Sequence, residues 1–348
     1  MQLSRFGVGL LIAAALGLAL AGCTSAPAKV ISTWPVATVE ATVTPPADAL
    51  RFPLSGLPMP AGATFPVSPV CAKLVDNGAT ATLSGVSAAN VVYETGQSSG
   101  GTQIAALFQS TLPKSAGPIG PAGAPDLWIL PQYHAALFSA GANPGLAASI
   151  KRAGLVDFSK GSAAGDSAYL TLTHPKAAAG TYLSGARALQ QVTVLGSTIA
   201  SDSARLRFSS ASETTGAATV GLTIPFSANQ VVGWEWSTKA GRYLRSRNGR
   251  PQRDLLGKKR ISATNIVVMW AKYTALDTDV AGPGGFDVTL GGSGQVTVFR
   301  DGQRIDGRWK ADGVSPPTFY AESGQAIRLA AGTTWFEVIP LSTNISMR

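Results

Sequence analysis

Only two histidines and two cysteines occur in the 348 residues, and charged side chains make up 14% of the chain. That scarcity excludes several chemistries. His134 and His174 lie far apart, with no second His or free Cys at ligand spacing, so a structural zinc or metalloprotease motif is missing. His134, in Gln132-Tyr133-His134-Ala135, reads as a turn or partly buried imidazole, and His174, in Thr173-His174-Pro175, as a loop residue. Cys71 has no catalytic His or Asn/Asp signature around it, which argues against a cysteine transpeptidase. The nearest approach to a nucleophile elbow, Gly291-Gly292-Ser293-Gly294-Gln295, ends in Gln and reads as a tight turn or bulge. Gly282, Gly284 and Gly285 precede no helix, so they form no phosphate loop. No metal or other cofactor is expected.

What is present begins at the N-terminus. Arg5 is followed by an uncharged apolar run, Phe6 to Leu20, and then by Leu20-Ala21-Gly22-Cys23. A positive n-region, a short h-region and small residues before a cysteine make a bacterial lipobox, in which the Cys23 thiol receives diacylglycerol and the preceding bond is cut. The run is short for a spanning helix, which needs ~20 apolar residues. The sequence thus predicts a signal peptide over 1–22 and a lipid anchor at Cys23, on the outer face of the cell membrane. With Cys23 acylated, Cys71 has no disulfide partner. It reads as a small buried hydrophobe on the strand Val70–Val75.

Residues 23–50 hold the anchor and a Pro/Ala/Thr/Ser-rich tether, with Pro27, Pro35, Pro45 and Pro46 and neither helix nor strand period. As a flexible coil it would span about 29 Å. Residues 51–212 read as an α+β module. Its strands are expected near Val70–Val75, Asn90–Tyr93, Ile104–Phe108 and Ala135–Phe138, and its helices at Pro144–Ala153, capped by Asn143, and Ser184–Gln191. Gly117 to Pro125 reads as an extended Gly/Pro loop. Residues 213–348 read as a β-rich module of short strands. The clearest hairpin turns at Asp301-Gly302 and directs Arg304, Asp306, Arg308 and Lys310 outward. The expected fold class is therefore α+β, a mixed N-terminal module followed by a β-rich one.

Two constellations carry charge. Glu94 and Asp126 flank Gly- and Pro-rich loops, and a pair of acids could act as general acid and base. Lys239, Arg242, Arg245, Arg247, Arg250, Arg253, Lys258, Lys259 and Arg260 are crowded together against Asp254 alone, while the rest of the mature chain is balanced. Strand alternation puts Tyr243, Arg245 and Arg247 on one face. This cluster is either a solvated edge that discourages strand pairing or a patch for anionic lipid headgroups or phosphate-bearing wall polymers. An exported lipoprotein rarely meets nucleic acid, so none is expected as a partner.

The order of several segments carries a resemblance. Phe52-Pro53-Leu54-Ser55-Gly56-Leu57-Pro58, Ala72-Lys73-Leu74-Val75-Asp76-Asn77, Asn90-Val91-Val92-Tyr93-Glu94 and Ala105-Ala106-Leu107-Phe108-Gln109-Ser110 are followed by Leu137 to Asn143, Asn265-Ile266-Val267-Val268, Gly292 to Gly302, Pro317-Thr318-Phe319-Tyr320 and Gly332-Thr333-Thr334-Trp335. Together they resemble the YerB-like bacterial lipoproteins, with the N- and C-terminal modules of a domain of unknown function. The resemblance implies a two-module lipoprotein outside the membrane, in a family to which no activity is assigned. It also implies a cleft where arginines and a histidine converge, and there this chain departs: Gln103, Gly120 and Gly123 stand at arginine positions, and Ala179-Gly180 at the histidine segment. Glu94, Asp126 and Asn143 match, which makes Glu94, Gln103, Asp126 and Asn143 the candidate cleft.

The sequence reading is a lipoprotein that binds a cell-envelope component. A wall-directed hydrolase or transferase using Glu94 and Asp126 is the alternative, and a purely structural envelope protein the third.

Overall fold

The computed structural model describes residues 51–60, 68–76, 83–162, 165–174, 177–194, 205–209, 216–278 and 285–348. The expected signal peptide, Cys23 and the expected tether lie outside them, as does much of the expected boundary near residue 212. In chain order the elements are β1 (Val70–Asp76), β2 (Val91–Gly96), β3 (Thr102–Phe108), α1 (Asp126–Tyr133), β4 (Ala136–Phe138), α2 (Pro144–Arg152), β5 (Tyr169–His174), β6 (Ala177–Leu183) and α3 (Gly185–Val194). There follow β7 (Ala217–Ala218), β8 (Gly221–Ser227), β9 (Gln230–Ser237), β10 (Arg242–Arg247), β11 (Arg250–Pro251), β12 (Ser262–Ala263) and β13 (Asn265–Ala275). The chain ends with β14 (Phe286–Thr289), β15 (Gly292–Arg300), β16 (Gln303–Ala311), β17 (Thr318–Ala321), β18 (Ala326–Ile327), β19 (Thr334–Pro340) and β20 (Ser346–Met347). The fold is α+β with a β-rich C-terminal part.

A 12-stranded sheet runs β18-β17-β16-β15-β13-β19-β2-β3-β1-β4 along its path, with β14 on β13 and β7 on β16. Its centre is the junction of the two expected modules. Strand β19, from the C-terminal end, pairs in parallel with β13 on one side and with β2 on the other, Glu337 opposite Glu94. The modules thus share one sheet, and the division expected near residue 212 does not separate two cores. A 6-stranded sheet, β11-β10-β9-β8-β20 with β12 on β10, packs on one face. Between the two sheets lie Ile104, Val92 and Trp335 of the large sheet and Leu222, Ile224, Trp234 and Tyr243 of the small one. The opposite face buries Cys71, Tyr93, Ala105, Val267 and Phe336 together with Leu127 and Leu130 of α1 and Leu146 and Ile150 of α2.

Local signals explain most elements. Asn143 caps α2 by accepting from Leu146 N at 3.3 Å, with Pro144 at the first helical position. Asp301 and Gly302 adopt φ of 53° and 74°, the two left-handed residues of a type I′ hairpin turn between β15 and β16. His134 ends α1 in the left-handed region, as a turn residue should, and burial pushes its pKa down. His174 is a correction: it is the last residue of β5 rather than a loop residue, because it pairs with Ala177 across the hairpin.

Candidate functional site

Alternation along β2 and β3 sorts the candidate residues onto two faces. Across this antiparallel pair Thr95 lies opposite Gln103 and Glu94 opposite Ile104, so Thr95 and Gln103 share one face and Glu94 the other. On the first face, at the ends of β2 and β3, is a cleft of about 310 Å³. Thr95, Gln103, Asn143 and Phe286 line it, together with the loop residues Gln97–Ser99 and Pro121–Pro125. Two of the four expected cleft residues, Gln103 and Asn143, therefore meet. The Asn143 amide is engaged at both ends, accepting from Leu146 N and donating to Thr278 O at 3.3 Å. The Gln103 amide makes no hydrogen bond among the described residues, and its Oε1 faces Gly123, where an added Cβ would stand 2.3 Å away. Gly120 packs on Val75, the residue opposite Gln103 on β1, its Cβ position 2.2 Å from Val75 Cγ2. Gln103 and Gly123 thus converge in the cleft, and Gly120 lies on the same face of the sheet outside its lining.

Asp126, the first residue of α1, is not among the residues that line the cleft. Its Oδ1 accepts from Lys73 Nζ at 2.6 Å and its Oδ2 from Gly123 N at 2.8 Å, and both side chains are almost wholly buried. The pair fixes the Gly123 loop against the sheet. Burial, and then the charge of Asp126, push the nearby Cys71 thiol up, so it stays an un-ionised thiol, as a core cysteine should.

Glu94 belongs to a second polar assembly, buried between the two sheets. Its Oε1 accepts from Thr102 Oγ1 at 2.7 Å, both oxygens accept from Arg245 Nη2 at 2.8 Å, and Oε2 also accepts from Trp335 Nε1 at 3.1 Å. The Arg245 guanidinium lies 5.1 Å from the Trp335 ring centroid and 6.0 Å from that of Trp234. Asp76 receives Arg245 Nη1 at 3.3 Å, Gln252 Nε2 at 3.1 Å and Arg247 Nη1. Glu337 accepts from Trp234 Nε1 at 2.7 Å through Oε1, while its Oε2 has no hydrogen-bond partner among the described residues. Burial first, and then the charge of Glu94, hold the Glu337 carboxyl well above the usual range, with Arg245 and the Trp234 hydrogen bond opposing.

These contacts correct two expectations. Glu94 and Asp126 are not a working acid pair: each is fully buried, faces a different side of the sheet, and has both oxygens occupied by donors. Nor does the cationic cluster form one solvent-facing patch. Arg245 is fully buried and Arg247 is paired with Asp76, because their face of β10 is the one that meets the large sheet. Arg242 is half-buried, with Nη2 near the hydroxyls of Thr264 and Thr333, and Arg260 donates to the Arg245 carbonyl. Lys239, Arg250, Arg253, Lys258 and Lys259 remain exposed.

The sequence reasoning missed Lys73, Asp76, Trp234, Trp335 and Glu337. Tyr243 was the one apolar hint on the inward face of β10, and the two arginines that alternate with it masked it. Among the described residues no group of three or more His, Cys, Asp or Glu side chains is placed to hold a metal.

Two family profiles match the chain. Residues 54–197 match the N-terminal domain, and residues 222–336 the C-terminal domain, of a protein of unknown function (DUF3048). Among curated proteins it is similar to YerB of Bacillus subtilis (strain 168), a protein named as a lipoprotein, at 23% identity over 297 residues, 84% of this chain and 87% of that one. Among solved structures it is similar to the crystal structure of Bacillus subtilis YerB, with a TM-score of 0.71 at 21% identity over 85% of this chain and 99% of that chain. At that identity the likeness speaks for the fold.

Proposed function

The chain belongs to the DUF3048 family, and from that membership and the cleft geometry we propose that it is a membrane-anchored exported lipoprotein that binds a neutral, sugar-bearing component of the cell envelope. The observation that carries this reading is the make-up of the cleft: the residues that line it, Thr95, Gln97–Ser99, Gln103, Asn143 and Phe286 among them, include no charged side chain, and Asp126 is held by Lys73 and the Gly123 amide. Uncharged donors and acceptors next to an aromatic face suit a ligand rich in hydroxyl and amide groups. An acid–base hydrolysis needs a carboxyl within reach of the scissile bond, and Glu94 and Asp126 offer none.

Cys23 carries the diacylglycerol in this reading, and residues 24–50 hold the folded part off the outer face of the membrane. Intact-mass analysis of the mature chain is expected to show an acylated N-terminal Cys23, lost in Cys23→Ala. Lys239, Arg250, Arg253, Lys258 and Lys259 would then meet anionic headgroups or wall polymers.

Calorimetric titration of the chain from Thr24 onward with muramidase-solubilised wall fragments tests the cleft. Saturable binding that weakens at least fivefold in Gln103→Ala is expected. No heat with the parent chain, or equal binding in both, would overturn the assignment.

A further inference from the structure

A second and larger concavity, of about 1030 Å³, is lined by Leu112, Leu170, Leu172 and Leu189 and by the adjacent Leu255 and Leu256. Its size is at the top of the range of small-ligand sites. Leu189 and Leu256 are 38% and 44% exposed, although most large apolar side chains are buried. An apolar wall alone would not name an occupant, but three further features do.

Tyr182 and Ser115 both line the groove, are 1% and 4% exposed, and have hydroxyls with no hydrogen-bond partner among the described residues. A buried hydroxyl left unpaired has given up its hydrogen bonds to water with nothing in return, so two in one groove point to a ligand that brings hydrogen-bonding oxygens to an otherwise apolar site. Lys114 and Arg187, both exposed, stand on the same groove, which places positive charge at its edge. Leu255 and Leu256 belong to the loop that carries Lys258 and Lys259. That loop is fixed in place: Leu255 N donates to Leu83 O at 2.9 Å, and Ser87 N donates to Asp254 Oδ2 at 3.3 Å. Apolar wall, buried hydroxyls and basic edge are together the complement of an acyl chain, its ester oxygens and an anionic head.

We propose that this groove holds the acyl portion of one anionic glycerophospholipid drawn from the membrane. Ester oxygens pair with Ser115 and Tyr182, and the phosphate lies toward Lys114, Arg187 and the Lys258–Lys259 loop. The polar cleft takes no part, so the two sites succeed or fail separately.

The chain from Thr24 onward, which keeps every described residue, is incubated with phosphatidylglycerol vesicles, freed of them by flotation, and examined by native mass spectrometry. One phosphatidylglycerol per chain is expected, with none carried from phosphatidylcholine vesicles. Leu189→Glu with Leu256→Glu is expected to reduce the lipid-bound fraction at least tenfold. Tyr182→Phe, which removes only the unpaired hydroxyl, is expected to reduce it severalfold with the melting temperature kept or raised. A chain that co-sediments with vesicles but leaves without lipid, equal uptake of phosphatidylcholine, or uptake unchanged in both variants would overturn the proposal.

Discussion

Arg245 is the residue on which the two sheets meet. It is fully buried, bonded to both oxygens of Glu94 and to Asp76, and lies beside two tryptophans. A buried pair is weak evidence for stability as such, but removing one partner leaves the other charge stranded in the interior. Arg245→Ala is expected to lower unfolding stability by about 3–5 kcal/mol, read from denaturant titration. Arg245→Lys should restore little, because an ammonium cannot reach Glu94 and Asp76 at once. Glu337 behaves in the opposite sense. Its carboxyl pKa is raised in the fold, so its contribution is complete below the unfolded value of about 4.3 and is lost as pH climbs toward the folded value. Glu337→Gln keeps an oxygen for Trp234 Nε1 and removes the titration. Its melting temperature relative to the parent should therefore rise from pH 4.5 to pH 8. A difference that stays flat with pH would contradict the assignment.

At the scale of elements, β10 and the loop after it divide one run of basic sequence into two jobs. Arg245 and Arg247 point into the molecule, whereas Arg250, Arg253, Lys258 and Lys259 stay exposed. Changing these four to Glu is expected to abolish co-sedimentation with anionic vesicles and to leave thermal unfolding nearly unchanged. Arg245→Glu should instead unfold the chain, so loss of vesicle binding there would say nothing about docking. The strand was legible from alternation, and Asn248 and Gly249, with φ of 48° and 73°, turn the chain after it. Which face was buried was not legible, since two arginines outweigh one tyrosine in any reading of polarity. The same limit applies to β2: the period of two separates Glu94 from Thr95, but only the partner sheet decides which face is the cleft side. Helix α1 gave little local signal, with Pro125 rather than a side-chain acceptor at its cap and Pro131 within it.

For the whole molecule, the consequence is cooperative unity. Strand β2 has β3 on one side and the C-terminal β19 on the other. A fragment ending at residue 212 therefore lacks the strand that completes the middle of its sheet and half of the layer around Glu94. Expressed alone, it is expected to remain unfolded by circular dichroism. The whole chain is expected to unfold in a single transition, coincident by circular dichroism and tryptophan fluorescence. Sequence patterning identified most strands on either side of the junction, yet not that they interleave, because parallel pairing between β19 and β2 joins residues more than two hundred positions apart. The absence of basic residues at Gln103 and Gly123 was visible in the sequence, and the fold turns that absence into a neutral cleft.

The central claim is that this cleft, and not the buried acids, receives the envelope ligand. Hydrogen exchange with and without saturating muramidase-solubilised wall fragments tests it most directly. The account expects added protection in Gly96–Gly101 and in the amides of residues 121–126, with the strands around Glu94 unchanged. Protection confined to the basic loop at 250–260, or none anywhere in the described residues, would contradict it.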